Sequence, residues 1–242
     1  MGEKLNDRAE VVETDVSPPP LSLIGRIFNI FSDPRKTFTT LEKKPDFLVP
    51  LLLVVLAAFI FTYIAWPVIE KSTREYSRTY MEERGMPQEE IDTALQQQQK
   101  YGKIGGMFGL PLTTVIMTLL VSAILLFAGN IILGGNAKYK QIFSLYCYAS
   151  LIDIIAYAVR MVLILLKDDT RVYTSLAALL PPDSYKEFWF KLANIADVFV
   201  IWKIVVIAIG MSVFYRISTR KPMITVALLY VVFGLVSMSL SR

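Results

Sequence analysis

The chain has 242 residues, 54% of them hydrophobic, with a mean hydropathy of +0.49, more apolar material than one soluble core of this size buries. Its 25 basic and 21 acidic side chains give a net charge of +4, which excludes a nucleic-acid binder with a dedicated basic face and fits a modest attraction to anionic lipid headgroups. There is no histidine and one cysteine, Cys147 in an apolar run, so an internal disulfide is excluded and the commonest general base and zinc ligand are missing.

All but four of the charged side chains lie outside the long apolar runs, which is the pattern of an all-α membrane protein with its loops in water. Residues 1–20 are polar, end in Ser17, Pro18, Pro19 and Pro20, and read as a disordered tail, neither signal peptide nor span. From Leu21 to Phe31 apolar residues recur at Ile24, Ile27, Phe28 and Phe31. That period predicts a short helix, either on the membrane surface or packed against the bundle. Ser32, Asp33 and Pro34 start a second short helix and Pro45 ends it. It carries Arg35, Lys36, Lys43 and Lys44 as headgroup contacts, beside Phe38 and Leu41 as apolar anchors at the same level. Residues 21–46 are therefore expected as cytoplasmic interfacial helices, and 47–242 as a five-span membrane domain.

Residues 47–69 carry no charge, and at about 1.5 Å per residue they suffice to cross a hydrocarbon core of roughly 30 Å. Residues 70–103 hold six basic and seven acidic side chains and predict a soluble, helical excursion. The second span is expected near Pro111–Leu133, after Gly105 and Gly109, a G-x-x-x-G pair that fits either close helix approach or loose packing at the span entrance. Gly134, Gly135 and Asn136 form a tight turn before Lys138 and Lys140. The remaining spans are expected near 141–166, 192–215 and 222–240, with Phe188, Trp189 and Phe190 at an interface between the third and fourth. Total basic charge is nearly equal on the two sides. The short loops with Lys138 and Lys140, and with Arg216, Arg220 and Lys221, are basic without acids, which places the N-terminus in the cytoplasm and Arg242 outside.

The four intramembrane charges are Asp153 and Arg160 in the third span, Asp197 and Lys203 in the fourth. Tyr146, Ser150, Asp153, Tyr157 and Arg160 alternate in steps of four and three and share one helix face. If the third and fourth spans are antiparallel neighbours, Arg160 meets Asp197 nearer the outer surface, and Asp153 meets Lys203 deeper in. Asp197 and Lys203 are six residues apart, so one helix face presents only one of them squarely. The cluster reads either as helix registration by self-neutralising pairs or as a polar pathway for a proton, ion or amphiphile. Thr113, Thr114, Thr118 and Asn130 either line a cavity or bond back to their own helix. There is no Gly-rich phosphate loop, no nucleophile with an attendant base and no ligand-spaced acids, so no catalytic residue, metal or cofactor is expected. An intramembrane aspartyl dyad would have to be built from Asp153 and Asp197.

The stretch Ser32 to Thr40, SDPRKTFTT, followed by Lys44, Pro45, Asp46, Phe47 and Pro50 leading into a span, resembles the Yip domain family of Ypt- or Rab-interacting membrane proteins. Gly134 through Lys140, Gln141, Phe143 and Tyr148 to Leu151, with the basic turn before the last span, is similar to the bacterial branch. The resemblance covers about residues 30–242 and implies five spans with a cytoplasmic N-terminus. In eukaryotes it implies vesicle trafficking through small GTPases; in bacteria it implies accessory subunits found with ABC-type exporters. The expected role is thus a non-enzymatic scaffold or accessory subunit in a bacterial inner membrane. Its expected partners are the lipid bilayer and a membrane protein such as an ABC-type exporter, or a second copy of itself, with no nucleic acid. The alternative is a small transporter or channel using the polar face of the third span.

Overall fold

A computed structural model describes residues 21–181, 184–185 and 187–240. The polar tail 1–20, Pro182 of the third connection and the terminal Arg242 lie outside the described residues. The named elements are helices: α1 (Leu23–Ser32), α2 (Pro34–Lys43), α3 (Leu48–Glu83), α4 (Gln88–Phe127, extended by a π turn over Ala128–Ile132), α5 (Tyr139–Ala149), α6 (Ile152–Lys167), α7 (Phe188–Ile195), α8 (Val198–Phe214) and α9 (Arg220–Leu240). The chain is an all-α membrane bundle.

Pro34 opens α2 at a position where its missing N–H removes no helical bond. Lys36 closes an exposed pair with Asp33 at 3.2 Å, so the acid at the helix start acts through charge rather than as a side-chain cap. Phe38 and Leu41 are fully buried, which corrects their expected place as headgroup anchors. They lie with Ile142, Leu145, Tyr148 and Met211 in the main core, where α2 packs against α5 and α8, and Phe38 meets Phe214 edge to face. Helix α1 combines both expected readings. Ile30 and Arg26 turn into the bundle, whereas Ile24 and Phe28 are about two-thirds exposed, at 67% and 69%.

Helices α3 and α4 do not stop where the apolar sequence stops. They have 36 and 40 residues, about 54 and 60 Å long at 1.5 Å per residue, and the charged 70–103 segment is their shared continuation. The hairpin turns at Gly85, whose φ of +70° is the left-handed conformation that suits glycine. Ile91 and Leu95 remain buried well beyond the end of the uncharged run, holding the arm together. At the level where the arm begins, Gly106 takes the Trp66 ring: a Cβ there would lie 2.1 Å from it. Gly105 and Gly109 meet nothing within 4 Å. The glycine that lets these helices approach is therefore Gly106, and Gly105 and Gly109 follow the other of their two readings, loose packing at the span entrance.

Among the described residues, four helical runs are long and apolar enough to cross a membrane: Leu48–Glu83, Gln88–Ile132, Tyr139–Lys167 and Arg220–Ser239. The apolar helix Val198–Phe214 is shorter, with 17 residues, about 25 Å. Two of the expected spans are broken: the third at Ser150 and Leu151 between α5 and α6, the fourth at Ala196 and Asp197 between α7 and α8. Helix α8 still runs from one end of the bundle to the other. Its first residues meet Asp197 and Thr174, while beyond its end the Tyr215 ring fills the space at Gly129 and Gly135, and Arg216 reaches Glu42 at 3.1 Å. Helices α1 and α2, the turn before α5 and the turn before α9 therefore lie at one end, and the α3–α4 arm and the connection after α6 at the other. Lys71 and Asp168 join those last two at 2.6 Å.

Candidate functional site

The two helix breaks create the polar centre of the bundle. A carboxylate is stabilised at a helix N-terminus by free N–H groups and the helix dipole, and both intramembrane aspartates stand at one. Asp153 is in the first turn of α6. Asp197 is the N-cap of α8, where its Oδ1 accepts hydrogen bonds from the Phe199 and Val200 N–H groups at 2.9 and 3.2 Å. Its Oδ2 accepts from Arg160 Nη2 at 2.8 Å and from the Thr174 hydroxyl. Arg160 Nε also donates to Thr174 Oγ1 at 3.3 Å. Asp197 is thus saturated on both oxygens, with its side chain only 10% exposed.

The deeper pair is Lys203 Nζ to Asp153 Oδ2 at 2.6 Å, with the ammonium 4.5 Å from the centre of the Tyr146 ring, a cation–π contact in a desolvated setting. Both cross-helix pairs form together even though Asp197 and Lys203 are out of helical phase. The reason is the break: Asp197 stands before the first turn of α8 as its cap, so the phase of that helix does not bind it. Each carboxylate has its own cation, and nothing in the arrangement resembles two acids sharing a proton.

The remaining residues of the third-span face go to different neighbours. Tyr157 stacks on Phe61 of α3 with ring centres 5.6 Å apart, and its hydroxyl lies 3.5 Å from Thr114 Oγ1 of α4. Ser150 sits at the break itself, its hydroxyl buried without a partner among the described residues. Thr114, Thr118 and Ser122 donate to the carbonyls four residues back, at 2.8, 2.7 and 2.6 Å, and so line no cavity with free hydroxyls. Asn130 instead clasps the following turn, donating to the Ala137 carbonyl at 3.1 Å and accepting from its N–H at 3.0 Å. Arg35, Lys36 and Lys43 of α2, and Lys44 that follows it, are all exposed. Arg35 reaches Thr219 at 3.4 Å, tying α2 to the turn before α9.

Outside the membrane-spanning segments, Asp168 accepts from Lys71 and raises the lysine above its ordinary range, while the Arg171 fork holds the Asp169 carboxyl below the usual carboxylate range.

The Yip1 domain model matches residues 28–241, from inside α1 to beyond the described end of α9. The chain belongs to the Yip1 domain family. This Yip1-family membrane protein is also similar to a Bacillus subtilis (strain 168) protein named "Membrane protein YknW", 28% identical over 218 residues that cover 87% of this chain and 89% of that relative. No solved structure matches.

A further polar junction lies at the α1–α2 end of the bundle. Arg26 of α1, 9% exposed, pairs with Asp46 at 2.8 Å, and Asp46 accepts from the Tyr148 hydroxyl, also at 2.8 Å. Gln141 accepts from the Lys138 N–H at 2.8 Å and donates to the Glu42 carbonyl at 3.0 Å. These bonds join α1 and the end of α2 to α5. The available signal was Arg26 on the inward-facing turn of an otherwise apolar helix, since a buried arginine requires an acid.

Proposed function

We propose that this Yip1-family protein is a non-enzymatic membrane scaffold or accessory subunit. It associates through its helices and the α3–α4 arm with a larger transport or membrane-trafficking assembly, of which an ABC-type exporter is the leading candidate. The carrying observation is that the intramembrane charges neutralise one another, Arg160 with Asp197 and Lys203 with Asp153, and both acids lie at helix starts. A conducting or catalytic site needs at least one group left available to a solute. Pairs closed at 2.8 and 2.6 Å hold helices in register instead. The arm extends well past the uncharged run and exposes Tyr76 and Tyr101, which suits contact with another protein. In this reading the protein resides in a bacterial cytoplasmic membrane with α1 and α2 in the cytoplasm and the arm outside, as the basic, acid-free short loops favour.

A second reading, a small transporter using the polar face of the third span, draws on the unpartnered Ser150 hydroxyl three residues before Asp153. One experiment separates the two. Purification in mild detergent with identification of co-eluting proteins should yield a stoichiometric partner, and the isolated chain in liposomes should pass no solute. Flux through the isolated chain with no partner recovered would reverse the order of the two readings.

A further inference from the structure

Between α3 and α4, where the arm leaves the membrane, there is a cavity of about 330 Å³. Its lining includes the apolar side chains of Trp66, Ile69 and Leu95 and the charged ones of Glu70, half-buried, and Arg74, exposed. Its volume is within the roughly 300–1,000 Å³ range of small-ligand sites. Two features of α4 keep it open. A side chain at Gly105 would meet nothing within 4 Å, and one at Gly102 would meet only Gln98 of its own helix, at 3.8 Å.

The position of the cavity along the membrane normal is set by the sequence. The uncharged run of α3 ends at Ile69 and Glu70 is its first charged residue, so the cavity straddles the boundary between acyl chains and headgroups. Glu70 and Arg74 are four apart and share a helix face. The neighbouring charges are engaged, Lys71 with Asp168 and Arg78 with Asp92, whereas among the described residues no ion pair takes up Glu70 or Arg74.

We propose that this cavity binds a phospholipid with a zwitterionic, ammonium-bearing headgroup, its phosphate on Arg74, its ammonium on Glu70 and the start of one chain against Trp66 and Ile69. Arginine donates two parallel hydrogen bonds to a phosphate, and a carboxylate four residues away gives the ammonium its counter-charge. An anionic headgroup with no ammonium would use Arg74 but face Glu70 unfavourably. That opposition makes the headgroup class legible.

The full-length protein is extracted from nanodiscs holding equal amounts of phosphatidylethanolamine and phosphatidylglycerol, and retained lipid is read by native mass spectrometry. One retained phosphatidylethanolamine is expected, favoured about fivefold, the scale of one partly exposed charge pair. Glu70→Gln should remove the preference while lipid is still retained, Arg74→Gln should lower retention of both lipids, and Gly105→Leu should abolish it by filling the cavity. Should Gly105→Leu fail to fold, Glu70→Gln decides alone, since it changes only the charge of a half-buried side chain. Equal retention of the two lipids by the unaltered protein, or an unchanged preference in Glu70→Gln, would overturn the proposal.

Discussion

Replacing Arg160 with methionine keeps much of the side-chain volume and removes the cation that faces Asp197. The aspartate would keep its bonds from Phe199 N, Val200 N and Thr174 but lose a 2.8 Å charge-assisted bond, with its side chain only 10% exposed. Breaking one side of a buried pair costs about 3–5 kcal/mol. The three surviving donors, and the 33% exposure of the Arg160 side chain, put this case at the lower end, about 3 kcal/mol. For a chain of this size that is a fall of roughly 6–12 °C in the midpoint of thermal unfolding, measured in detergent by circular dichroism or by loss of the monodisperse elution peak. Adding Asp197→Asn to Arg160→Met should recover a substantial part of the loss, because asparagine still accepts the capping N–H bonds without carrying charge. A charge swap is the wrong control here. Arginine at 197 cannot cap α8 and would place a cation at the positive end of the helix dipole. If Arg160→Met unfolds within about 1 °C of the unaltered protein, or if the double variant is no more stable than the single, the pair does not register the helices and the reasoning fails.

Phe38→Ala should cost about 3–5 kcal/mol, since the ring is fully buried and meets Phe214 edge to face; a headgroup anchor would lose membrane contact with little change in unfolding. Adjacent glycines of α4 should respond with opposite sign. Gly105→Ala should raise the unfolding midpoint by the equivalent of about 1 kcal/mol, because alanine favours the helix and meets nothing, whereas Gly106→Ala should lower it by about 1–3 kcal/mol through collision with the Trp66 ring. Lys203→Met should destabilise the bundle and Lys203→Met with Asp153→Asn should do so less, and neither change should open a solute flux in liposomes.

The fold class was legible because a bilayer demands apolar runs of about twenty residues, and such runs stand apart from the charged segments: 47–69, 104–137 and 222–240 are uncharged, and the other two long apolar stretches hold only Asp153, Arg160, Asp197 and Lys203. Pairing of Arg160 with Asp197 and of Asp153 with Lys203 was legible for a related reason: antiparallel spans with one connection place equal depths side by side. The breaks at Ser150 and Ala196 were not, since they carry neither proline nor glycine, and hydropathy is blind to a helix that ends and restarts inside an apolar run. Phe38 and Leu41 were misplaced because a basic, amphipathic ten-residue helix reads the same whether its apolar side meets lipid or protein. Only the neighbouring groove of α5 and α8, with Gly210 admitting Phe38 and Leu145, distinguishes the two. The two readings of Gly105 and Gly109 stayed open for the same reason: spacing identifies glycines that can face a partner helix, and the bulky Trp66 on α3 decides which one does.

The central claim is that α8, though only 17 residues long, carries the chain from one face of the membrane to the other. It is tested by replacing Cys147 with serine and introducing single cysteines at Lys36, Tyr80, Asp169, Glu187 and Ser218, then labelling with an impermeant thiol reagent from each side of sealed vesicles. Positions 36 and 218 should label from one side, and 80, 169 and 187 from the other. Labelling of 187 and 218 from the same side would mean that α8 does not cross, leaving four spans and the chain's two termini in one compartment.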